Sequence, residues 1–479
     1  MFPFAVDHDG GAEEKNQQVA FMGKIYEHAE HVFVWLPLDQ ALKGGSSDRR
    51  HWDQWQDFRD WHREQIDQAL LTEGPVALST PRGQNENPIT AWSNIHTIVK
   101  SAWWNRAWVY QEYMFARQVT FLIAEMSVPP EDLHQLLQHC VHRLPAYQYA
   151  CAAILSAMKL QYQNSKILSD FRNFFAEERR ACPKAARDKQ RLRVMADQAE
   201  THRKARLQWD LATFVLQSRV DRDQHNQANY PLSRLMGHAG KCKSADPRDQ
   251  VYAFLGLANP AYGLVADYRS TVTAKEVLTK AAMGIITVEK RLDLLAIGRD
   301  ESGASSAYND LPTWVPNWSR PQHHESDYKH FLREIAFPTA TESNPRPCQA
   351  TRDREPQVSF HPNSQGHADR ILRAAGIRVA TLGTPSGESG TSIALSFSAT
   401  GSDLRIITCS PAKTGDEVWV LLGADEPFVL GKARGLDQEQ RIVGHAMLRL
   451  NGRPSDIFQG SMIDLLNEGA VRLETVDIA

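Results

Sequence analysis

The chain twice passes from helix spacing straight into a short, uncharged, β-branched or aromatic run. This feature most restricts how it folds. Between 13 and 36, Val19, Met22, Tyr26 and Ala29 recur at helical intervals, and VFVWL (32–36) follows. Between 91 and 124, SAWWNRAWVYQEYMFARQ returns to helical spacing and VTFLIA (119–124) follows. Continuous apolar runs of this length predict strands covered on both faces, as in a parallel sheet. Ser127, Pro129, Pro130, Glu131 and Asp132 then mark the start of another helix. The first 145 residues are therefore expected to be an α/β layer structure. The runs 32–36 and 119–124 are expected as parallel neighbours, with helices 15–30 and 103–117 packed on their sheet.

The later chain has a different pattern. Residues 40–90 read as a polar excursion with one Trp-rich helix (52–71), and 150–225 as helical and rich in Arg and Lys mixed with acids. ADPRDQVYAFLGLA (245–258) reads as a helix, with Asp246 as cap, Pro247 in the first turn and Asp249 at its positive end. Thr273 and Glu276 form a capping-box pattern opening a helix to about 289. LPTWVPNWS (311–319) has too much proline for a regular element, and its Trp314 and Trp318 read as packing anchors. From 369 the period switches to strands separated by turn residues, which predicts an antiparallel sheet or small barrel. The expected divisions are 1–145, 146–320, a polar insertion at 321–368, and a β-rich region at 369–479.

Composition excludes several classes. Lys and Arg number 54 against 57 Asp and Glu, so net charge gives no case for nucleic acid or an anionic membrane surface. No apolar run is long enough for a membrane span, and the start lacks the form of a secretory signal. The six cysteines have no C-x-x-C pair, and neither His134/His139 nor His324/His330 has metal-ligand spacing. A cytoplasmic protein without metal or certain cofactor is the expectation. No dinucleotide fingerprint, P-loop or nucleophile elbow is present. Trp103, Trp104 and Trp108 read as core rather than as a base-stacking platform, since no basic stripe accompanies them.

Glu112 is the residue that demands explanation. On a helix its neighbours are Trp108, Val109, Phe115 and Ala116, none of them polar. A carboxylate so placed is either catalytic or paired with an arginine such as Arg106 or Arg117, because buried acids are usually paired. Burial would raise its pKa, and beside a ribose it would stabilise oxocarbenium-like charge.

Five segments in order resemble one family: EEKNQQVAFMGKIYEHAEHVFVWL, SAWWNRAWVYQEYMFARQVTFLI, ADPRDQVYAFLGLA, LPTWVPNWS, and GDEVWVLLGADEPFVL with RIVGHAML. This looks like the fungal heterokaryon incompatibility (HET) domain proteins. The resemblance implies self/non-self recognition, regulated cell death, protein partners and possible self-association. It marks Trp35, Arg106, Trp108, Gln111, Glu112, Asp246, Pro247, Arg248, Asp249, Trp314 and Trp318 as motif residues. HET domains are thought to be similar to TIR domains, which implies a flavodoxin-like sheet and NAD as a possible substrate, with Glu112 of Trp108-Val-Tyr-Gln-Glu112 in the catalytic role. The resemblance enters only inside the family's second motif, so an N-terminally truncated domain is expected. Loss of its first strand and loop would count against NAD turnover.

Overall fold

The computed structural model describes residues 12–36, 55–71, 94–95, 97–124, 126–142, 209, 211–223, 230–296, 311–318, 350–362, 370–386, 394–399, 404–409, 412–433, 439–450 and 453–479. The chain divides into two units. One comprises Gln18–Ala228 with Lys241–Ser244, the other Met1–Gln17, Asn229–Gly240 and Ala245–Ala479. The expected helical stretch 150–208 and the pair His324 and His330 lie outside the described residues.

The first unit is an α/β structure. Helix α1 (Ala12–His28), whose residues up to Gln17 belong to the other unit, leads into β1 (Val32–Leu36). Helix α2 (Trp55–Leu71) follows, then a 3-10 turn at Ala102–Asn105, α3 (Val109–Phe115) and β2 (Val119–Ile123). β1 and β2 pair in parallel, Val32 opposite Val119 through Leu36 opposite Ile123, as the two helix-to-strand runs predict. Next comes β3 (Met126–Val128), antiparallel to β2, and then α4 (Pro130–His142). Ser127 was expected at a helix start. It lies instead inside β3, because the chain hairpins back on β2 before the helix begins.

Two further expectations are corrected. The helix expected over 103–117 is interrupted. Ser101 Oγ accepts from Trp103 N–H at 3.3 Å, and Arg106 is extended (φ −86°, ψ 130°), forming an isolated parallel bridge with Lys243. Lys243 N–H donates to Asn105 O at 2.5 Å and its carbonyl accepts from Ala107 N–H at 3.2 Å. These distant hydrogen bonds replace intrahelical ones, and the helix restarts only at Val109. Second, among the described residues β1 is covered on one face only. Val34 and Leu36 are buried, whereas Phe33 and Trp35 are 61% and 69% exposed. On the covered face Trp103, Trp104 and Tyr113 ring Phe121 at centroid distances of 5.6–6.0 Å. Trp104 donates to Ile98 O at 2.8 Å, which satisfies the one polar atom of a fully buried indole.

In the second unit, helices α6 (Leu232–Ala239), α7 (Asp249–Tyr252) and α8 (Ala274–Glu289) precede the strands; α5 (211–223) belongs to the first. The capping box at Thr273 and Glu276 is present in both directions. At its other end α8 stops on Lys290, a non-glycine residue in the left-handed region (φ 56°). Lys290→Gly is expected to stabilise this unit by up to about 1 kcal/mol, read as a higher thermal midpoint, because glycine pays no Cβ penalty there.

The strand-rich region closes on itself. Its strands are β4 (Val358–His361), β5 (Ile371–Ser386), β6 (Ala394–Ala399), β7 (Leu404–Cys409), β8 (Glu417–Leu421), β9 (Phe428–Lys432), β10 (Gln440–Leu450), β11 (Arg453–Pro454) and β12 (Glu474–Ile478). β5, β6, β7, β10, β9 and β8 pair antiparallel in a ring that returns to β5. The long β5 and β10 each shift register part-way, which lets one strand serve two sets of neighbours. Ile377, Phe397, Ile406, Val418, Val420, Val429 and Leu448 fill the core. β4 falls in the stretch read as a polar insertion and pairs with β5. Trp314 and Trp318 are fully buried without regular structure around them, as LPTWVPNWS predicts.

Candidate functional site

Glu112 is the natural starting point. It sits in α3, seven residues before β2 begins, and Tyr26 sits in α1, six before β1 begins. Because the two strands pair in parallel and in step, these residues stand at similar heights on their helices. The Tyr26 hydroxyl donates to the Glu112 carboxylate. Glu112 is 9% exposed. Desolvation pushes its pKa up, and the Arg106 charge and the Tyr26 hydrogen bond partly offset this. Tyr26 is pushed up too, by its own burial and by the facing carboxylate.

Of the two arginines considered as partners, only Arg106 faces Glu112. Arg117 Nε instead donates to Glu27 O at 3.0 Å. The bridge to Lys243 holds the Arg106 backbone in place. The neighbouring motif residues divide. Gln111 is buried, Trp108 is half-buried at the helix start, and Trp35 stands on the opposite, open face of the sheet.

The direction of the Glu112 shift has a consequence. A carboxyl with a raised folded pKa binds more protons folded than unfolded above its ordinary 4.5. Stability therefore falls as pH rises from 4.5 through the folded value. Glu112→Gln removes that loss. Its thermal midpoint is expected to exceed that of the parent at pH 8 and to match it near pH 4.

Sequence reasoning missed Arg219, from α5. Its buried guanidinium donates to Tyr113 O at 2.5 Å, Ala116 O at 3.0 Å and Arg117 O at 3.1 Å, the carbonyls that end α3. It also lies 5.3 Å over the Tyr113 ring. A positive charge at a helix C-terminus meets both the open carbonyls and the helix dipole. Arg219 is ordinary in local sequence, and its spacing to α3 gives no signal.

The ADPRDQVY motif forms a separate cluster in the second unit. Asp246 accepts from Arg248 N–H at 3.0 Å and from its guanidinium at 2.9 Å. The same guanidinium donates to Arg269 O and Val272 O, each at 3.1 Å. Asp249 stands at the first position of α7, as its sequence predicts, and is buried there, accepting from Tyr268 Oη at 2.5 Å. Lys15 Nζ lies 3.7 Å from the Tyr268 ring centre, Arg248 lies 5.1 Å from it, and Asn16 Oδ1 accepts from Tyr268 N–H at 2.7 Å. The expected helix is only one turn because Pro247 and the Asp246 turn delay its start. The motif's chemistry is thus a clamp on the 263–272 loop. LPTWVPNWS is likewise a tie. Thr313 N–H donates to Ala479 O at 2.8 Å, Thr313 Oγ1 accepts from Ile442 N–H at 3.0 Å, and Trp314 donates to Arg370 O at 3.2 Å.

Among the described residues no three His, Cys, Asp or Glu side chains gather as a metal site would require, and no helix is long and apolar enough to cross a membrane.

Residues 6–112, which contain α1, β1 and Glu112, match the family model for heterokaryon incompatibility protein (HET). The chain carries a HET domain. No curated protein and no solved structure matches it. The HET match ends at Glu112, so Tyr26, Arg106 and the carboxylate they face all fall within it.

Proposed function

We propose that this HET-domain chain acts in fungal self/non-self recognition, in the cytoplasm, where engagement of an incompatible protein partner arrests growth or kills the cell. The family match over 6–112 carries this reading. The order of the ADPRDQVY and LPTWVPNWS segments behind it supports the same reading. We take residues 1–145 as the HET portion, with a TIR-like arrangement. The parallel β1–β2 pair and the helices leading into each strand support that fold, and the antiparallel β3 departs from an all-parallel TIR sheet. The reading is tested by overexpression in a filamentous fungus with viability scored. Growth arrest is expected. Normal growth beside a toxic relative of the same family would overturn it.

A second reading, NAD(P) glycohydrolase activity, is favoured by one observation: a desolvated carboxylate with a raised pKa, hydrogen-bonded to a tyrosine. Glu112 would stabilise charge on the ribose as the bond to nicotinamide breaks and water adds at the same carbon. Nicotinamide release from NAD by purified protein, lost in Glu112→Gln, is the expected outcome. Release unchanged by that substitution, or no release at high protein concentration, would remove Glu112 from this role and leave it a structural carboxylate.

A further inference from the structure

We infer that Arg106 and Lys243 form an anion-binding pair that takes the diphosphate of a nucleotide beside Glu112. The ribose half of that ligand rests on the glycohydrolase reading. Its anionic half rests on the geometry around the two cations.

Arg106 and Lys243 are partners in an isolated parallel bridge. In a parallel pair, bridged residues stand about 4.8 Å apart and turn their side chains to the same face. Two positive side chains therefore leave the bridge side by side. Like charges so placed repel, and a loose backbone would relieve this by drawing apart. Here the backbone is tied on both sides. Lys243 N–H donates to Asn105 O at 2.5 Å, Ala107 N–H donates to Lys243 O at 3.2 Å, and Arg106 N–H donates back to Trp103 O at 3.3 Å. The flanking residues Ala107 and Cys242 are buried, which anchors both segments. Arg106 and Lys243 themselves are exposed. Lys243 lies outside the matched residues 6–112, so the second cation is supplied by a distant part of the chain.

The fold does not neutralise the pair. Among the described residues neither side chain forms an ion pair or a hydrogen bond. The Arg106 charge acts on Glu112 and on the Tyr26 hydroxyl without bonding to either. Glu112 is buried and Arg106 is open to solvent, so the cation stands outside the carboxylate. A ligand that meets both presents its anionic group outward and a neutral, hydroxyl-bearing group inward. A nucleotide is built this way, with the phosphate on the ribose whose hydroxyls can donate to a carboxylate. The arginine fork matches phosphate oxygens two at a time, and the lysine adds a point charge. A diphosphate diester carries one charge on each phosphorus, one for each cation. A single carboxylate would leave one cation unanswered.

Isothermal titration calorimetry of the full chain reads the pair without turnover, with ADP-ribose, inorganic diphosphate and adenosine as probes. ADP-ribose is expected to bind most tightly, inorganic diphosphate more weakly, and adenosine at least about tenfold more weakly than ADP-ribose. Arg106→Gln and Lys243→Gln should each raise the ADP-ribose dissociation constant at least about fivefold. Circular dichroism and the thermal midpoint should stay unchanged, because both residues are exposed. Arg106→Lys should fall between, keeping the charge and losing the fork. Lys280→Gln, at an exposed cation of the other unit, should leave the affinity as it is. Added salt should weaken the parent more than either variant. If Lys243→Gln loses the fold, Arg106→Gln decides.

No ADP-ribose binding at millimolar concentration overturns the proposal, as does binding that both variants retain. Inorganic diphosphate bound as tightly as ADP-ribose also overturns it, by showing a site for the free anion. The glycohydrolase reading fails separately. Cation-dependent ADP-ribose binding without nicotinamide release sinks that reading and keeps the pair. Release abolished by Glu112→Gln, with a KM for NAD that neither cation variant shifts, keeps that reading and sinks the pair.

Discussion

Arg219→Met is expected to destabilise the α/β unit by about 4 kcal/mol, the largest effect of any single substitution considered for this chain. The guanidinium serves three carbonyls at the end of α3, at 2.5, 3.0 and 3.1 Å. Tyr113 and Ala116, which supply two of them, are buried. Removing the donor leaves carbonyls in a place water reaches poorly, and each such orphan costs about 1–3 kcal/mol. Methionine keeps most of the side-chain volume, so the loss reports the hydrogen bonds and the charge rather than a cavity. Arg219→Lys should recover only part, because one ammonium cannot span three acceptors set along a planar fork. Native-state hydrogen exchange separates this from a general loss. Amides of α3 and β2 should exchange faster in the variant, with those of the β-barrel unchanged. An Arg219→Met protein with the parental midpoint would show that water satisfies the carbonyls equally well.

Arg248→Met is expected to cost about 3 kcal/mol, confined to the other unit. Here the guanidinium joins Asp246 to the carbonyls of Arg269 and Val272, and stacks near Tyr268. The site is partly open to solvent, so the loss per bond is smaller than at Arg219. Its distinguishing mark is where the damage appears. The 263–272 loop should become accessible to protease and its amides should exchange faster, while α3 stays protected. Asp246→Asn should show a milder version, since the amide still accepts from Arg248 N–H but no longer pairs with its charge.

The parts of this fold that could be read from sequence are those decided by neighbours along the chain. The capping box at Thr273 and Glu276 closes within four residues, and it appears as written. The two helix-to-strand transitions each occupy about twenty residues. Their parallel pairing is expected from apolar runs without alternation, and the connection between them is long enough for the crossover that parallel strands need. The antiparallel strands after 369 follow from alternation and turn residues, although the number of partners each takes does not. Glu112 was legible as an anomaly because every neighbour on its helix is apolar, and burial with a shifted pKa is what that anomaly means.

What tertiary structure alone decided is where distant groups intervene. Lys243 breaks the helix at Arg106 by offering hydrogen bonds as good as those within it, from more than 130 residues away. Asp249 stands at the first position of α7 as expected, but it is also buried under Tyr268, because the loop that carries Tyr268 folds back over it. Trp35 lies open although VFVWL reads as fully covered. A run of apolar residues records that a strand is stable in an apolar setting, but not which face another element covers. By itself the sequence determined where most helices and strands begin and the HET motif they carry, because those depend on local hydrogen bonding and on the spacing of apolar side chains. The partner of Glu112, the clamp at Arg219 and the open face of β1 were settled only in three dimensions, where a single residue far along the chain supplies or withholds the contact.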